Sequence, residues 1–376
     1  MATVTGSGIV SSVAVGKASI SASLSSITAS TIITVGTLMG GAIQSVPLDL
    51  TSSNAYVGTL AGSPALGAPG GTDGSGTTAS FNQPGGITTD GANLYVADTN
   101  NNNIRKIVIA TGEVTTLASG FNRPSGITTD GTHLYVADTF NNKISKVVIA
   151  SGTVTTLAGT GNPGASDGSG MAASFNQPYG ITINGTNLYV ADTNSNKIRK
   201  IDITGLVTTL AGSGTPGATD ATGTAASFYG PKAITTDGAN LYVADTNTNR
   251  IRKIVIGSKV VTTLAGSAAG SADGTGTAAS FNGPTGITTD GTHLYVADTN
   301  SNKIRKIVIA TGEVTTLAGS GVSGATNGSG TSALFTNPKG IVTNGASLYV
   351  TDYNRIRKID MVGGEETTAP TLVISS

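Results

Sequence analysis

One motif recurs six times along the 376 residues and constrains the fold more than any other feature. The stretch LYVADTNNNNIRKI begins at Leu94, and the tyrosines of successive copies are separated by 40, 54, 53, 53 and 54 residues. The six tyrosines are Tyr95, Tyr135, Tyr189, Tyr242, Tyr295 and Tyr349. A period of this size is typical of repeat architectures, in which each copy buries its apolar faces against its neighbours. We therefore expect one repeat domain over most of the chain.

Each copy contains four short segments that are rich in β-branched residues and separated by turn-forming residues. In the first copy they are residues 86–90, 94–98, 104–109 and 113–118. The short breaks are rich in Gly, Asn and Asp, which predicts an antiparallel meander of four strands. In the third segment, apolar residues occupy both odd and even positions, as in a strand that is covered on both faces. Four-stranded sheets stacked around an axis form a propeller, so the sequence predicts an all-β, six-bladed β-propeller with four-stranded antiparallel blades.

The sequence also predicts how the ring closes. A fourth-strand signature, VTTLA, follows copies one to five, whereas GGEETTAPTL follows the sixth, where Pro370 would interrupt a ladder. The missing strand precedes the first copy, as AYVGTLAG at residues 55–62. We expect this N-terminal strand to be the outer strand of the last blade, which would tie down both ends of a propeller spanning residues 55–365.

The repeats and the N-terminal segment each carry a resemblance. The motifs Pro-x-Gly-Ile, LYVADT-x-N and VTTLAG resemble NHL repeats, and this resemblance implies a six-bladed propeller. Residues 2–35 alternate apolar and small polar positions and resemble the C-terminal half of a bacterial group 2 immunoglobulin-like domain. We assign residues 1–36 to this partial β-sandwich, 37–54 to a linker and 366–376 to a tail or a linker to a following domain. The resemblance implies a bacterial cell-surface or secreted protein, with an extracellular location.

The partial sandwich has two explanations. A complete immunoglobulin-like sandwich needs ~7 strands and ~100 residues, so only about half of one is present. Either the chain is a piece of a longer surface protein, or the sandwich is completed in trans by the tail or by another subunit, because an open edge invites pairing. The second explanation would make the protein a homo-oligomer assembled through residues 2–36.

Composition excludes several classes of function. Charged residues make up 11% of the chain, and 21 Lys plus Arg balance 21 Asp plus Glu, which argues against a nucleic-acid partner. No apolar run is long enough to predict membrane insertion, and the first twenty residues do not form a signal peptide. The chain has no cysteine, which excludes disulfides, zinc-thiolate sites and thiol nucleophiles.

The Asp-Thr-Asn turn is a candidate calcium loop that fails on its later positions. Asp98, Asn100 and Asn102 match the start of an EF-hand loop, but Asn103 and Ile109 stand where Gly and Glu are required. The sixth copy shortens the turn by two residues and still keeps its aspartate. We therefore predict that the aspartate caps the amides of its own turn, and we predict no metal and no cofactor.

The other polar residues do not form a catalytic constellation. His133 and His293 stand at equivalent turns of opposed blades, and we interpret them as turn residues. General acid-base catalysis needs a singular, positioned pair, and none is visible, so no catalytic residue is assigned and the chain is predicted not to be an enzyme. A propeller hydrolase or lyase ranks third among the functions considered. Arg105, Lys106 and their repeats are expected to be solvated stems that cover neighbouring sheets.

Topology places the candidate binding residues on one face. In an antiparallel blade, the turn after the second strand and the connection after the fourth strand emerge on the same side, and loops on a rigid scaffold are favoured binding positions. The predicted ligand-face residues are Asn100, Asn102, Phe140, Asn194, Asn247, Asn300 and Tyr353. The sequence thus predicts a non-enzymatic extracellular binding or scaffold module for a protein or carbohydrate ligand. The alternative is a structural subunit assembled by strand exchange.

Overall fold

In this computed structural model, residues 55–63, 67 and 69–361 are described with their side chains. They form one compact unit, residues 55–361, while residues 1–54 and 362–376 form a second. In the second unit only the backbone of short strands is described, at Thr3–Val4, Val10–Ser11, Ser19–Leu24, Ile27–Ala29 and Leu372–Ser375. There the tail strand pairs antiparallel with Ser19–Leu24. The predicted immunoglobulin-like sandwich and its linker otherwise lie outside the described residues.

Six antiparallel sheets make up the larger unit, and they confirm the predicted all-β, six-bladed propeller. From first to fourth strand, the bounds are Ile87–Thr89, Asn93–Asp98, Asn103–Val108 and Glu113–Ser119 in blade 1; Pro124–Thr129, His133–Asp138, Lys143–Val148 and Val154–Ala158 in blade 2; Pro178–Asn184, Asn187–Asp192, Lys197–Asp202 and Leu206–Ala211 in blade 3; Pro231–Thr236, Asn240–Asp245, Arg250–Val255 and Val260–Ala265 in blade 4; Pro284–Thr289, His293–Asp298, Lys303–Val308 and Glu313–Ala318 in blade 5; and Pro338–Thr343, Ser347–Asp352, Arg355–Asp360 and Tyr56–Gly62 in blade 6.

The ring closes as the sequence predicts. Tyr56–Gly62 pairs antiparallel with Arg355–Asp360, the third strand of blade 6, so the N-terminal strand is the fourth strand of the last blade. The first strands of neighbouring blades contact one another around the axis, including those of blades 6 and 1. Strands from the two ends of the propeller therefore share one sheet, and each blade has a neighbour on both faces.

Apolar residues gather in six clusters, one at each interface between neighbouring blades. The LYVAD strand is buried throughout because its two faces belong to different interfaces. Leu188 and Val190, for example, belong to the cluster between blades 2 and 3, whereas Tyr189 belongs to the cluster between blades 3 and 4. Burying one such aliphatic side chain stabilises the fold by about 1.5–3 kcal/mol. The propeller is thus held together by the contacts between blades, which is the expected behaviour of repeats that cannot cover themselves.

The long connections add a fifth strand to five of the blades. Each connection contributes a two-residue edge strand that pairs with the fourth strand of the blade it enters. These edge strands are Gly74–Ser75, Ala221–Thr222, Gly168–Ser169, Gly274–Thr275 and Gly328–Ser329, and 3-10 turns follow them at Gly76–Thr78, Gly223–Ala225, Gly170–Ala172, Gly276–Ala278 and Gly330–Ser332. Blade 2, entered by a short connection, keeps four strands. Among the described residues, no helix has the length and apolar character to span a membrane.

Candidate ligand-binding face

A buried ion-pair network organises most blades and corrects one prediction. Arg199, on the third strand of blade 3, is fully buried, and its Nη1 and Nη2 atoms donate to Asp192 Oδ2 at 2.9 Å and to Asp167 Oδ1 at 2.8 Å. Its guanidinium carbon lies 5.3 Å from the centre of the Phe175 ring. The equivalent groups are Arg105 with Asp98 and Asp73, Arg252 with Asp245 and Asp220, and Arg305 with Asp298 and Asp273. The prediction that these arginines are solvated stems is wrong, because each has acidic partners on both sides.

Blades 2 and 6 depart from this network, and the differences show what the aspartates of the long connections do. Blade 2 has Ser145 in place of the arginine and lacks the long connection that would carry the partner aspartate. In blade 6, Arg357 donates to Asp352 and to Asn327, which replaces the connection aspartate. The arginine is therefore present in each blade whose long connection supplies an Asp or Asn partner, and it is absent from blade 2, which lacks the connection. The connection acids are framework residues that fasten each connection to its blade.

The aspartate at the end of the second strand also differs from its predicted role. Asp192 Oδ1 accepts from the backbone N–H of Asn176, which precedes it by 16 residues, and its Oδ2 accepts from Arg199. The carboxylate thus fastens the entering connection, and the prediction that it caps the backbone of its own turn is wrong. Its own turn contributes a side-chain donor instead, as Asn101 Nδ2 does to Asp98 in blade 1. Burial raises the pKa of Asp192 to about 6, against the opposing effects of the Asn176 N–H and Arg199. In the described part of the chain, no group of three His, Cys, Asp or Glu residues could hold a metal ion.

The Asn-rich turn clamps each blade to the next one. Five of the turns end on an asparagine in the left-handed region, such as Asn196 at φ 53°. In the shortened sixth turn the left-handed residue is Tyr353, and Asn354 follows it. Asn196 Oδ1 accepts from the backbone N–H of Gly230 in blade 4 at 2.9 Å. Asn102, Asn142, Asn249, Asn302 and Asn354 make the equivalent bond, the last of them from blade 6 to Gln83 of blade 1. The turn threonine adds a second bond, from Thr193 Oγ1 to the carbonyl of Pro231.

Replacing Asn196 tests this clamp. We expect Asn196→Gly to lower the free energy of unfolding by about 1–3 kcal/mol, because Gly230 loses its buried acceptor while glycine keeps the left-handed backbone. Asn196→Ala should lose ~1 kcal/mol more, because alanine is strained at a positive φ. The exposed Asn194 supplies the matched control, and Asn194→Ala should stay within about 0.5 kcal/mol of the parent in urea unfolding. Equal effects at both positions would contradict the clamp.

The structure confirms that the turns and the long connections share a face, here called the turn-loop face. Asn101 Nδ2 donates to the carbonyl of Gly70, and the Asn100 N–H donates to the carbonyl of Asn82, both in the connection that enters blade 1. Asn100, Phe140, Asn194, Asn247 and Asn300 occupy the same exposed turn position. Of the other predicted residues, Asn102 belongs to the clamp, and Tyr353 is half-buried with φ 55°.

Blades 2 and 4 carry exposed aromatic residues on this face. Phe140 is 40% exposed, and the Arg123 guanidinium carbon lies 5.0 Å from its ring centre. Tyr229 is 47% exposed, and its carbonyl accepts from the turn N–H of Asn247. Tyr229 was missed by the sequence analysis, although it stands where most other units have asparagine. These aromatic residues make blades 2 and 4 different from the rest of the ring.

The histidines lie in turns on the opposite face, in agreement with their interpretation as turn residues. His133 donates its backbone N–H to Asp130 Oδ1, and its Nδ1 lies 3.2 Å from Asp130 Oδ2. In blade 1 the same carboxylate position accepts from Asn93 Nδ2. Histidine and asparagine are thus interchangeable in this turn, which provides a neutral control substitution.

The mouth of the axial channel gathers residues that the sequence analysis did not single out. The residue after each motif proline lines a cavity that is partly open to solvent. These six residues are Gly85, Ser125, Tyr179, Lys232, Thr285 and Lys339. The mouth lies at the turn-loop end of the channel, because Pro178 pairs with Asp192, where the turn begins. The sequence does distinguish these six residues, because they occupy the variable second position of an otherwise constant Pro-x-Gly/Ala-Ile motif.

Comparisons with known proteins agree with this architecture. No protein-family model matches the chain. It is 29% identical over 298 residues to human NHL repeat-containing protein 2, covering 53% of this chain and 41% of that protein. It is 27% identical over 292 residues to Protein SUPPRESSOR OF QUENCHING 1, chloroplastic, of Arabidopsis thaliana, covering 57% of this chain and 28% of that protein. The chain therefore spans less than half the length of these curated relatives.

A solved structure extends the likeness to the fold. An auxiliary nutrient binding protein from Bacteroides thetaiotaomicron superposes with a TM-score of 0.64 and 20% sequence identity, covering 81% of this chain and 76% of that one. At this identity the likeness concerns the fold alone. The NHL repeat-containing relatives and the six-bladed ring together support a propeller of the NHL-repeat type.

Proposed function

We propose that the protein is a non-catalytic binding module whose turn-loop face holds a carbohydrate or protein ligand outside a bacterial cell. The observation that carries the proposal is the distribution of residue variation. Strand carboxylates and arginines repeat from blade to blade and are engaged in framework bonds, whereas unlike residues collect at the channel mouth and on the turn-loop face. A repeating framework supplies no singular acid-base pair, while an asymmetric face suits the recognition of an asymmetric ligand.

Two further observations support a carbohydrate as the first ligand to test. The face combines exposed aromatic rings, Phe140 and Tyr229, with exposed turn amides such as Asn194 and Asn247. Aromatic rings offer large contact areas at a small entropic cost, and amides offer adaptable hydrogen bonds. The fold is shared with a nutrient binding protein, which is consistent with this use. The extracellular location is part of the proposal and has the same support.

A binding screen tests the proposed function. The full chain is applied to a glycan array and, in parallel, to an array of extracellular proteins. We expect at least one specific ligand, with affinity reduced about tenfold or more in the Phe140→Ala/Tyr229→Ala double variant, because central aromatic contacts dominate binding energy. His133→Asn, on the opposite face, should bind like the parent. A ligand retained equally by all three proteins, or turnover of an arrayed glycan by the parent, would contradict the proposal.

A further inference from the structure

Two lysines line the channel mouth, and neither has an acidic partner among the described residues. Lys232 of blade 4 and Lys339 of blade 6 both line the cavity, and no acidic residue is present among the described residues that line it. The Lys232 ammonium lies 5.7 Å from the centre of the Tyr179 ring, and Lys339 Nζ lies 3.4 Å from Gln83 Oε1. Neither lysine forms an ion pair with a carboxylate in the described part of the propeller, although most buried arginines of the blades do.

The electrostatics of the mouth are unfavourable without a counter-charge. Burial lowers the pKa of both Lys232 and Lys339, and the charge of Lys232 lowers the pKa of Lys339 further. Both side chains line the same cavity, so two groups of the same charge share it. Two desolvated charges of the same sign destabilise the site, and an anion bound between them would remove both penalties.

The mouth also supplies neutral donors around the lysines. Tyr179 presents a hydroxyl group from blade 3 and Ser125 presents one from blade 2, whereas the Thr285 hydroxyl is paired with Thr299 Oγ1. An oxyanion with several acceptor oxygens suits a ring of this kind, since ammonium groups contribute charge and hydroxyls contribute directed bonds.

We propose that the channel mouth is a binding site for a divalent tetrahedral oxyanion, a phosphate or sulfate group, held between Lys232 and Lys339 with Tyr179 beside them. A dianion neutralises both ammonium groups, which a monoanion does not. The group can be a free ion or an ester carried by a larger ligand on the turn-loop face. The site depends only on the lining of the channel, so it goes beyond the proposed function and stands without it.

Titration calorimetry and thermal unfolding of the full chain test the proposal. The probes are inorganic phosphate, sulfate, glucose 6-phosphate and, as the uncharged control, glucose. We expect phosphate or sulfate to bind and to raise the melting temperature, with affinity falling as salt is raised, because the interaction is ionic. Preference for free phosphate or for the ester distinguishes the two sources. Binding of glucose alone, or no binding of any of the four, would overturn the proposal.

Matched variants assign the binding to the two lysines. Blade 5 carries Thr285 at the equivalent position, so Lys232→Thr and Lys339→Thr should fold, and removing one of two like charges should leave the unliganded melting temperature unchanged or higher. Each change should weaken phosphate or sulfate binding about tenfold or more. Lys253→Thr, on the third strand of blade 4, is the control that should bind normally. Undiminished binding in the Lys232→Thr/Lys339→Thr double variant would overturn the proposal, whatever ligand the turn-loop face takes.

Discussion

Replacing Val57 with aspartate is expected to lower the free energy of unfolding by about 3–5 kcal/mol, among the largest effects of any single change in the propeller. Val57 has no exposed surface and belongs to the apolar cluster between blades 5 and 6. It pairs with Ile359, so the strand that closes the ring carries the charge directly into this interface. Urea unfolding of the full chain, followed by circular dichroism, measures the loss.

The adjacent residue supplies the control for this prediction. Tyr56 lies on the same strand with its side chain 49% exposed, and Tyr56→Asp should change the free energy of unfolding by less than about 1 kcal/mol. The contrast separates burial from any general effect of a charge on this strand. If both variants unfold like the parent, the N-terminal strand does not complete blade 6.

The fold was predictable because one sequence pattern repeats along the chain. Six copies of one pattern fix the number of blades, and alternating turn residues locate the strands; the second strand of blade 1, predicted at residues 94–98, is observed at Asn93–Asp98. The closing strand was found from the missing VTTLA after the sixth copy. The two-residue edge strands were not predicted, because the Gly-rich connections carry no alternation of apolar and polar residues.

The buried arginines show where such reasoning fails. A charged residue within a strand normally indicates an exposed position, because charges are seldom buried without partners. The partner Asp167 precedes Arg199 by 32 residues, and only the folded blade brings them together. A signal was nevertheless present in the second copy, where Ser145 replaces the arginine and the long connection is missing. The joint absence of two features within one repeat indicates that they contact each other.

The candidate site was predictable only in part. Antiparallel topology correctly placed the turns and the connections on one face, since this depends on strand direction alone. The bonds of individual side chains did not follow: the sequence does not show that Asn102, predicted on the ligand face, accepts a hydrogen bond from the next blade. Channel residues such as Lys232 were missed because their convergence depends on where the first strands meet around the axis.

Replacing Arg199 with leucine is expected to lower the free energy of unfolding by about 3–5 kcal/mol, because the change leaves a buried carboxylate without its cation. Asp192 is fully buried and would lose its Oδ2 partner, while the carbonyls of Ser174 and Ser166 would each lose a donor. Lys200→Leu, at the adjacent and partly exposed position, is the control and should stay within about 1 kcal/mol. Adding Asp192→Asn to Arg199→Leu should recover part of the loss, since the amide oxygen can still accept from Asn176.

The pH dependence of this loss identifies its cause. The pKa of Asp192 in the folded protein is about 6, above its ordinary value of 3.8, and removing Arg199 would raise it further. The folded variant therefore binds more protons than the unfolded chain above about pH 4, so its stability falls as pH rises through this window. Asp167 acts in the same direction. Partial burial would raise its pKa, but Thr209 and Arg199 hold the pKa below the ordinary value of 3.8. The stability that this gives the parent is lost as pH falls below 3.8. We expect the difference between parent and Arg199→Leu to be larger near about pH 8 than near about pH 4.5. A difference independent of pH would mean that lost packing against Phe175, and not the unpaired carboxylate, causes the destabilisation.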